Sequence, residues 1–297
     1  MKFLNFTCEI TNYILQLQLE SLSYLELILT NHNMFTYYNF LSGCYEVNYK
    51  PATIRDFPAI SHGLFTKYYE FPYMAALGWD SNVWEGTYDY KCGGALITPN
   101  YVLTAAHCVY LNGIPPSVAL LGGVNLTDTS SATPIKVINV TKHPSYKHNQ
   151  PYNDIALLKL ERNATTPWIC LWNQYQTIQM NVTAIGYGKE FFAGPGSDTL
   201  LKAYLSIMPN GECTEYYKND TTLSQGIRDT QLCARDTIRN SDTCQGDSGG
   251  PLIMRIGYLK TYLVGITSFG QGCSLNIPGV YTRVSEYLDW IEKIVYG

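Results

Sequence analysis

Near its C-terminal end the chain reads Asp242-Thr243-Cys244-Gln245-Gly246-Asp247-Ser248-Gly249-Gly250-Pro251. A serine stands between glycines here, so the backbone can approach a carbonyl group without a side chain in the way. A carboxylate directly precedes that serine. The stretch predicts a nucleophile held in a turn. The alternative is a glycine-rich turn without chemistry, because a motif this short also occurs by chance.

The positions of the histidines limit the chemistry open to this serine. As a Gly-x-Ser-x-Gly pattern, residues 246–250 also match the nucleophile elbow of α/β-hydrolases, in which the histidine follows the serine. All the histidines of this chain come before Ser248, and they are His32, His62, His107, His143 and His148. A base must therefore precede the nucleophile, which argues against the elbow.

The composition indicates a globular chain with enough apolar material for a full core. Of its 297 residues, 46% are hydrophobic and 15% are charged, which suits one large or two ordinary domains. The net charge of −4 arises from 20 basic and 24 acidic residues. This balance provides neither a basic field for nucleic acid nor a polybasic run for anionic lipid, so neither partner is expected.

The cysteines and the glycosylation sequons favour a secreted protein. The nine cysteines lack the CxxC spacing of zinc or redox sites, which favours disulfides made in an oxidising compartment. Six Asn-x-Ser/Thr sequons agree with this, and they begin at Asn5, Asn125, Asn139, Asn163, Asn181 and Asn219. With no zinc spacing and no clear acidic calcium loop, no metal and no other cofactor is expected.

The N-terminal part of the chain has no clear role. Acidic residues interrupt the leucine-rich run of residues 1–43, and no Ala-x-Ala-like cleavage site follows, so neither a signal peptide nor a membrane span is predicted. The leucine spacing is helical. An amphipathic helix and an incorrectly assigned start therefore both remain open. Residues 44–59 contain prolines and mixed polarity and are predicted to be a linker.

Beyond residue 60, short apolar and β-branched runs alternate with Gly, Pro and Asn. Examples are residues 93–97, 101–104, 135–138, 155–158, 182–185, 251–254 and 263–268. Many short strands at this spacing predict an all-β barrel or sandwich. The one well-formed helix pattern is terminal, where Leu288, Ile291 and Ile294 make an apolar stripe that Ser285 can cap.

Two further motifs lie upstream of the serine. Residues 104–108, Thr-Ala-Ala-His-Cys, put His107 beside a cysteine that can fix it by bridging to Cys92. A structural histidine is the alternative. Asp154 begins an apolar strand, where a buried carboxylate is costly unless it accepts hydrogen bonds. An acid that orients an imidazole explains this cost, and a local turn cap is the alternative.

Thr-Ala-Ala-His-Cys, Asn-Asp-Ile-Ala-Leu-Leu and Gly-Asp-Ser-Gly-Gly-Pro, in this order, resemble the chymotrypsin-like serine proteases over residues 60–297. The resemblance implies an all-β fold of two packed antiparallel six-stranded β-barrels, with a triad between them and a C-terminal α-helix. Ser248 would attack the scissile carbonyl, His107 would take and return its proton, and Asp154 would hold the tautomer of His107. The backbone N–H groups of Gly246 and Ser248 would form the oxyanion hole.

The resemblance also implies a specificity pocket. Asp242 lies six residues before the nucleophile, at the family position of the pocket floor, where Asp matches trypsin and favours Arg or Lys before the cut bond. A surface acid in a loop is the alternative. Gly270 and Gly279 match pocket walls that must be small, and Ser268 matches the position that supports the acid. The pocket is expected to be open and acidic.

The pairing that the resemblance implies is Cys92–Cys108, Cys213–Cys233, Cys244–Cys273 and Cys44–Cys170. The last pair would tether the light chain that activation cleavage leaves behind, and Cys8 stays unpaired. The pattern is similar to secreted arthropod haemolymph and venom proteases of the clip type. The clip module itself needs six cysteines, and only two lie upstream, so it is not expected here.

Activation in this family creates a new N-terminus. Ile60-Ser61-His62-Gly63 is similar to that terminus, and Asp247 would accept its ammonium group. Ala59 departs from the residues after which activators usually cut, which leaves the activating enzyme open. The expected organisation is an N-terminal region of unclear role (1–43), an activation peptide or light-chain tail (44–59) and the protease domain (60–297).

The chain is thus expected to be a secreted trypsin-like endopeptidase made as a zymogen. Its expected partners are protein or peptide substrates with Arg or Lys before the cut bond, an activating protease and serpin-type inhibitors. The alternative is a catalytically silent homologue that acts as a binding or regulatory module. The usual sign of such a homologue is a lost triad residue, and none is lost in this sequence.

Overall fold

The computed structural model describes residues 64–67, 69–123, 125–128, 132–175, 180–188, 196–236, 247–256, 260–270 and 277–297. Several sequence predictions lie outside these residues. They are the predictions for residues 1–43 and 44–59, for Ile60, Asp242 and Gly246, and for Cys8, Cys44, Cys244 and Cys273.

Six strands in the first half of the described chain form a closed antiparallel barrel. They are β2 (Met74–Asp80), β3 (Tyr88–Thr98), β4 (Tyr101–Thr104), β5 (Val118–Leu121), β6 (Ile135–Lys142) and β7 (Ala156–Leu160). The order around the barrel is β2-β3-β4-β7-β6-β5. Their aliphatic and β-branched residues suit a pleated, buried surface. Strands β2, β4 and β7 are buried along most of their length, so the middle of this barrel is a packed core.

Six strands in the second half form another closed barrel. They are β9 (Asn181–Gly186), β10 (Leu201–Met208), β11 (Gln231–Arg235), β12 (Pro251–Ile256), β13 (Lys260–Phe269) and β14 (Gly279–Arg283). The order is β10-β11-β14-β13-β12-β9, and pairing of β9 with β10 closes the ring. Two short strands add to it: β1 (Leu64–Phe65) pairs with β10, and β8 (Cys170–Leu171) runs parallel to β13.

The core of the second barrel is built from side chains of different strands. Leu205, Leu252, Val264 and Tyr281 are almost fully buried there, together with Trp172. Burying a side chain of this size stabilises the fold by about 1.5 to 3 kcal/mol. The two-barrel fold that the resemblance implied is confirmed.

The terminal helix differs from its prediction at the N-terminal end. A 3₁₀ turn spans Val284–Tyr287, the α-helix spans Leu288–Tyr296, and no side chain caps either of them. The cap predicted at Ser285 is wrong, because this residue lies inside the 3₁₀ turn and its buried hydroxyl has no hydrogen-bond partner. Ile291 is buried as the apolar stripe predicted.

The sequence did not indicate the helix α1 (Asn210–Tyr216), which precedes the terminal helix α2 (Leu288–Tyr296) in the chain. Helix α1 is only seven residues long, too short to show an apolar periodicity. Its one buried residue, Cys213, is held in a disulfide to β11. Within the described ranges, no helix has the length and apolar character that a membrane span requires.

Candidate active site

His107 lies on a 3₁₀ turn, Ala106–Tyr110, that follows β4 directly. Strand β4 is held by antiparallel pairing with β7 up to Thr104, opposite Ala156. The disulfide between Cys92 and Cys108 joins the turn to β3. Because both neighbours of the imidazole along the chain are fixed, the first barrel presents His107 at a defined place.

Asp154 precedes β7 and is only 3% exposed. Its carboxylate accepts three hydrogen bonds: from His107 Nδ1 at 2.7 Å, from the His107 backbone N–H at 2.9 Å and from Ser268 Oγ at 2.6 Å. A buried carboxylate is costly unless such donors compensate for the water it has lost. The structure therefore brings His107, Asp154 and Ser268 together, and it joins the two barrels at this carboxylate.

Burial acts on both partners of this pair and is outweighed by their interaction. Burial favours a higher pKa for Asp154, but the charge of His107 and the hydrogen bonds from His107 and Ser268 hold that pKa below its ordinary value. Burial likewise favours a lower pKa for His107, whereas the charge and hydrogen bond of Asp154 raise it above the ordinary value. Asp154 is thus ionised at neutral pH and stabilises a positive charge on the imidazole.

Ser248 lies in a tight turn, as the sequence predicted. The N–H of Gly250 donates to the carbonyl of Asp247 at 2.8 Å, and Gly249 has a φ of +75° at the third position of the turn. A positive φ at that position favours glycine. The N–H of Gly249 also donates to the carbonyl of Thr267 in β13 at 2.8 Å, so the second barrel fixes the turn.

The serine turn packs directly against the first barrel. The N–H of Gly93 in β3 donates to the carbonyl of Ser248 at 2.8 Å. A Cβ at Gly249 would collide with the Gly93 carbonyl and lie 3.2 Å from Cys108 Sγ. This close contact places the turn beside the disulfide that flanks His107. Among the hydrogen bonds of the described residues, none joins Ser248 Oγ to His107 Nε2; such contacts are often long without substrate and tighten when it binds.

The Asp247 carboxylate lies against two glycines, Gly186 and Gly188, that the sequence analysis did not identify. The N–H of Gly188 donates to Asp247 Oδ1 at 2.9 Å, and a Cβ at either Gly186 or Gly188 would collide with the carboxylate. The available signal was a Gly-x-Gly sequence directly after the apolar run 182–185. The glycines give the carboxylate room beside β9.

The two predicted pocket-wall residues face each other in the second barrel. Phe269 pairs with Val280 across β13 and β14, so Gly270 and Gly279 come next to each other at the ends of these antiparallel strands. Among the described residues, a Cβ at Gly270 would meet no atom within 4 Å. The structure thus brings the two glycines together at the ends of paired strands, and Ser268 lies two residues before Gly270 in the chain.

Two of the expected disulfides are present, Cys92–Cys108 and Cys213–Cys233. Cys170 is also disulfide-bonded. Within the described residues, the one group of side chains close enough to bind a metal is Cys92, His107 and Cys108. The two sulfurs of this group are bonded to each other, so they are not available as the thiolates that metal binding requires.

Comparison with known proteins agrees with this geometry. The Trypsin family model matches residues 60–291. Serine protease snk of Drosophila melanogaster is 41% identical over 250 residues, which are 80% of this chain and 57% of that protein. Venom protease of Bombus pensylvanicus is 35% identical over a stretch that covers 74% of this chain and 92% of the venom protease.

Among solved structures, neuropsin, a serine protease expressed in the limbic system of mouse brain, superposes with a TM-score of 0.66 at 28% identity. The match covers 78% of this chain and 98% of neuropsin. Sequence family, relatives and fold all agree over the same two barrels. The chain therefore belongs to the trypsin family of serine proteases.

Proposed function

We propose that this protein is a secreted serine endopeptidase, made as a zymogen, that cleaves proteins after Arg or Lys. The observation that carries the proposal is the buried Asp154 carboxylate, which accepts two hydrogen bonds from His107 and one from Ser268. Such an acid holds the imidazole in one tautomer and stabilises the imidazolium that forms during catalysis. Protein substrates, an activating protease and serpin-type inhibitors are the proposed partners.

The proposed mechanism uses the two nitrogens of His107 separately. Nδ1 donates its hydrogen to Asp154, which leaves Nε2 as the base. Ser248 Oγ attacks the scissile carbonyl carbon and gives its proton to Nε2, and Nε2 passes that proton to the leaving amine. Water then cleaves the acyl-enzyme by the same proton route. The N–H groups of Gly246 and Ser248 would stabilise the oxyanion, at about 3 to 4 kcal/mol for each donor.

The proposed preference for Arg or Lys depends on Asp242. A carboxylate at the bottom of a pocket would pair with the positive end of a long substrate side chain. The facing glycines Gly270 and Gly279 support this, because neither has a side chain that could fill the entrance.

The proposed activation requires the Ile60 ammonium group to reach Asp247. Phe65 pairs with Leu201, Leu201 pairs with Gly186, and Gly186 adjoins the Asp247 carboxylate. Two strand spacings, or about 10 Å, separate Phe65 from Gly186, beside which the carboxylate lies. The five residue steps from Ile60 to Phe65 can span about 16 Å when extended. The segment is therefore long enough for a terminus at Ile60 to reach Asp247.

Secretion is supported by the disulfides and by the sequons. Disulfides persist mainly in oxidising compartments. Within the described residues, most sequon asparagines are exposed, as a glycan requires, and these are Asn139, Asn163, Asn181 and Asn219.

The proposal is tested on protein that can be activated at a chosen bond. In Ala59→Arg protein treated with a trypsin-like activator, an Ile60 terminus should appear together with labelling of Ser248 by a covalent serine-hydrolase probe. In a peptide library, the protein should cleave the bonds that come directly after Arg and Lys. Ser248→Ala and His107→Ala should each remove most of the rate, and the double variant should be scarcely worse, because the two groups act as a unit. Correctly cut protein that neither reacts nor cleaves would instead be the silent homologue.

A further inference from the structure

Asn153, directly before the acid Asp154, has a left-handed backbone with a φ of +54°. Among the described non-glycine residues, only Tyr69, Asn112 and Asn153 have a positive φ. Asparagine tolerates this region better than most residues, but the conformation is still unfavourable. It persists where the surroundings impose it, and such places are often functional.

The side chain of Asn153 is bonded at both ends. Its Nδ2 donates to the carbonyl of Ser145 at 3.3 Å, and its Oδ1 accepts from the Tyr287 hydroxyl at 3.1 Å. Its own carbonyl accepts the N–H of Ile155 at 2.9 Å, which closes a three-residue turn with Asp154 at the centre. The conformation of Asn153 thus sets the direction in which the next side chain, that of Asp154, points.

Tyr287 is itself firmly placed. It is only 4% exposed. Its ring packs edge to face against the His143 ring, with the two ring centroids 5.2 Å apart. The His143 ring packs in the same way against Trp290 of α2, also with 5.2 Å between centroids. The backbone N–H of His143 donates to the carbonyl of Ile155 at 3.0 Å. The C-terminal segment therefore contacts the residues on both sides of Asp154. It hydrogen-bonds Asn153 directly and packs against His143, which hydrogen-bonds Ile155.

The catalytic acid has little freedom beyond this turn. Its backbone carbonyl accepts a hydrogen bond from Thr282 Oγ1 at 2.8 Å, and its carboxylate has the three donors described above. A catalytic group displaced by about 1 Å can lose about 100-fold in rate. Any residue that fixes the turn therefore acts on the reaction without touching the substrate.

We propose that Asn153 and Tyr287 are positioning residues, through which the C-terminal segment directs Asp154 at His107. This inference rests on the proposed protease activity. Neither residue touches the reacting atoms, so loss of either affects the rate through the His107–Asp154 hydrogen bond and leaves substrate binding unchanged.

Three substitutions test this in the activated full-length protein. Tyr287→Phe removes only the hydroxyl. Asn153→Ala removes the side-chain amide and also places alanine at a positive φ, which alanine disfavours. Asn153→Gly removes the amide, but glycine adopts a positive φ readily. Per titrated active site, kcat should fall about 10-fold in Tyr287→Phe and about 100-fold in Asn153→Ala. Asn153→Gly should lie between them, and KM should stay within about 2-fold in all three.

Asn112→Ala is the matched control. Asn112 has nearly the same φ, +53°, and lies exposed in a loop. Its replacement removes the same side chain at a backbone of nearly the same φ, outside the Asp154 turn. Its kcat per titrated site should equal that of the unchanged protein. Normalising to titrated sites removes any loss of folded protein from the comparison.

Two further measurements report the His107–Asp154 bond itself. A loosened Asp154 raises the pKa of His107 less, so the acid limb of the kcat/KM profile should move to lower pH in Tyr287→Phe and Asn153→Ala. The low-field proton resonance of His107 Nδ1–H should also shift or broaden, and this is measurable in protein without activity. Changes confined to these variants support the proposal, even if correctly cut wild-type protein proves inactive and the proposed function fails. The proposal is overturned if Tyr287→Phe and Asn153→Ala match Asn112→Ala in all three measurements. These are the His107 Nδ1–H resonance, the pH of the acid limb of kcat/KM, and kcat.

Discussion

Replacing Gly186 by alanine tests whether Asp247 must occupy its present place for activity. The new Cβ would collide with the Asp247 carboxylate, so the carboxylate must move and lose the hydrogen bond from Gly188 N–H, now 2.9 Å long. The moved acid could no longer accept the Ile60 ammonium group, as the proposed activation requires. Breaking one side of a buried ion pair costs about 3 to 5 kcal/mol, which corresponds to about 100-fold to several thousand-fold less of the active form.

The assay compares Gly186→Ala with Gly211→Ala, both on an Ala59→Arg background and both cut at Ile60 as shown by N-terminal sequencing. Gly211 is the control because a Cβ there would meet no atom of the described residues within 4 Å, and it lies in helix α1, where alanine is favourable. Active-site titration should show a near-complete loss only in Gly186→Ala. A full titre in Gly186→Ala with an Ile60 terminus would refute the role given to Asp247.

Three further predictions concern specificity, pH and the light chain. Asp242→Ser should abolish cleavage after Arg and Lys in a peptide library while the covalent probe still labels Ser248; an unchanged preference would exclude Asp242 as the pocket floor. Because the pKa of His107 is raised and the base must be neutral, kcat/KM should fall on acidification through a pH above histidine's ordinary value of about 6.5; a midpoint below that value would contradict the pairing with Asp154. If Cys170 is bonded to Cys44, Cys44→Ala should release the light chain from activated protein without reductant, and a single unreduced species would show another partner.

Much of the site could be predicted because its chemistry is encoded in short motifs. The order of His107, Asp154 and Ser248 excluded the α/β-hydrolase elbow before any fold was known. The glycine after the serine has the positive φ that a tight turn favours at that position. Alternating short strands indicated an all-β fold, although they did not distinguish a barrel from a sandwich, and the family resemblance supplied the two barrels.

Other features were missed or mistaken because they depend on neighbours in space. Ser285 has the side chain of a helix cap, but the chain enters α2 through a 3₁₀ turn, so its hydroxyl meets no free N–H group. The Gly-x-Gly sequence of Gly186 and Gly188 marks a special place in the chain but does not say what lies against it. Their lack of a Cβ matters only because Asp247, about 60 residues later in the sequence, lies against them.

The sequence by itself determined which groups are available for the chemistry and in what order they come along the chain. Local spacing also determined where strands and turns form, since side-chain alternation and backbone φ depend on near neighbours. Only the tertiary structure decided that Tyr287 hydrogen-bonds Asn153, across 134 residues. The support of Asp154 by Ser268 was implied by the family resemblance, and the structure shows it as a hydrogen bond of 2.6 Å. The physical reason is that a buried hydrogen bond forms between groups that packing brings together. Closure of the two barrels determines which distant residues come into contact.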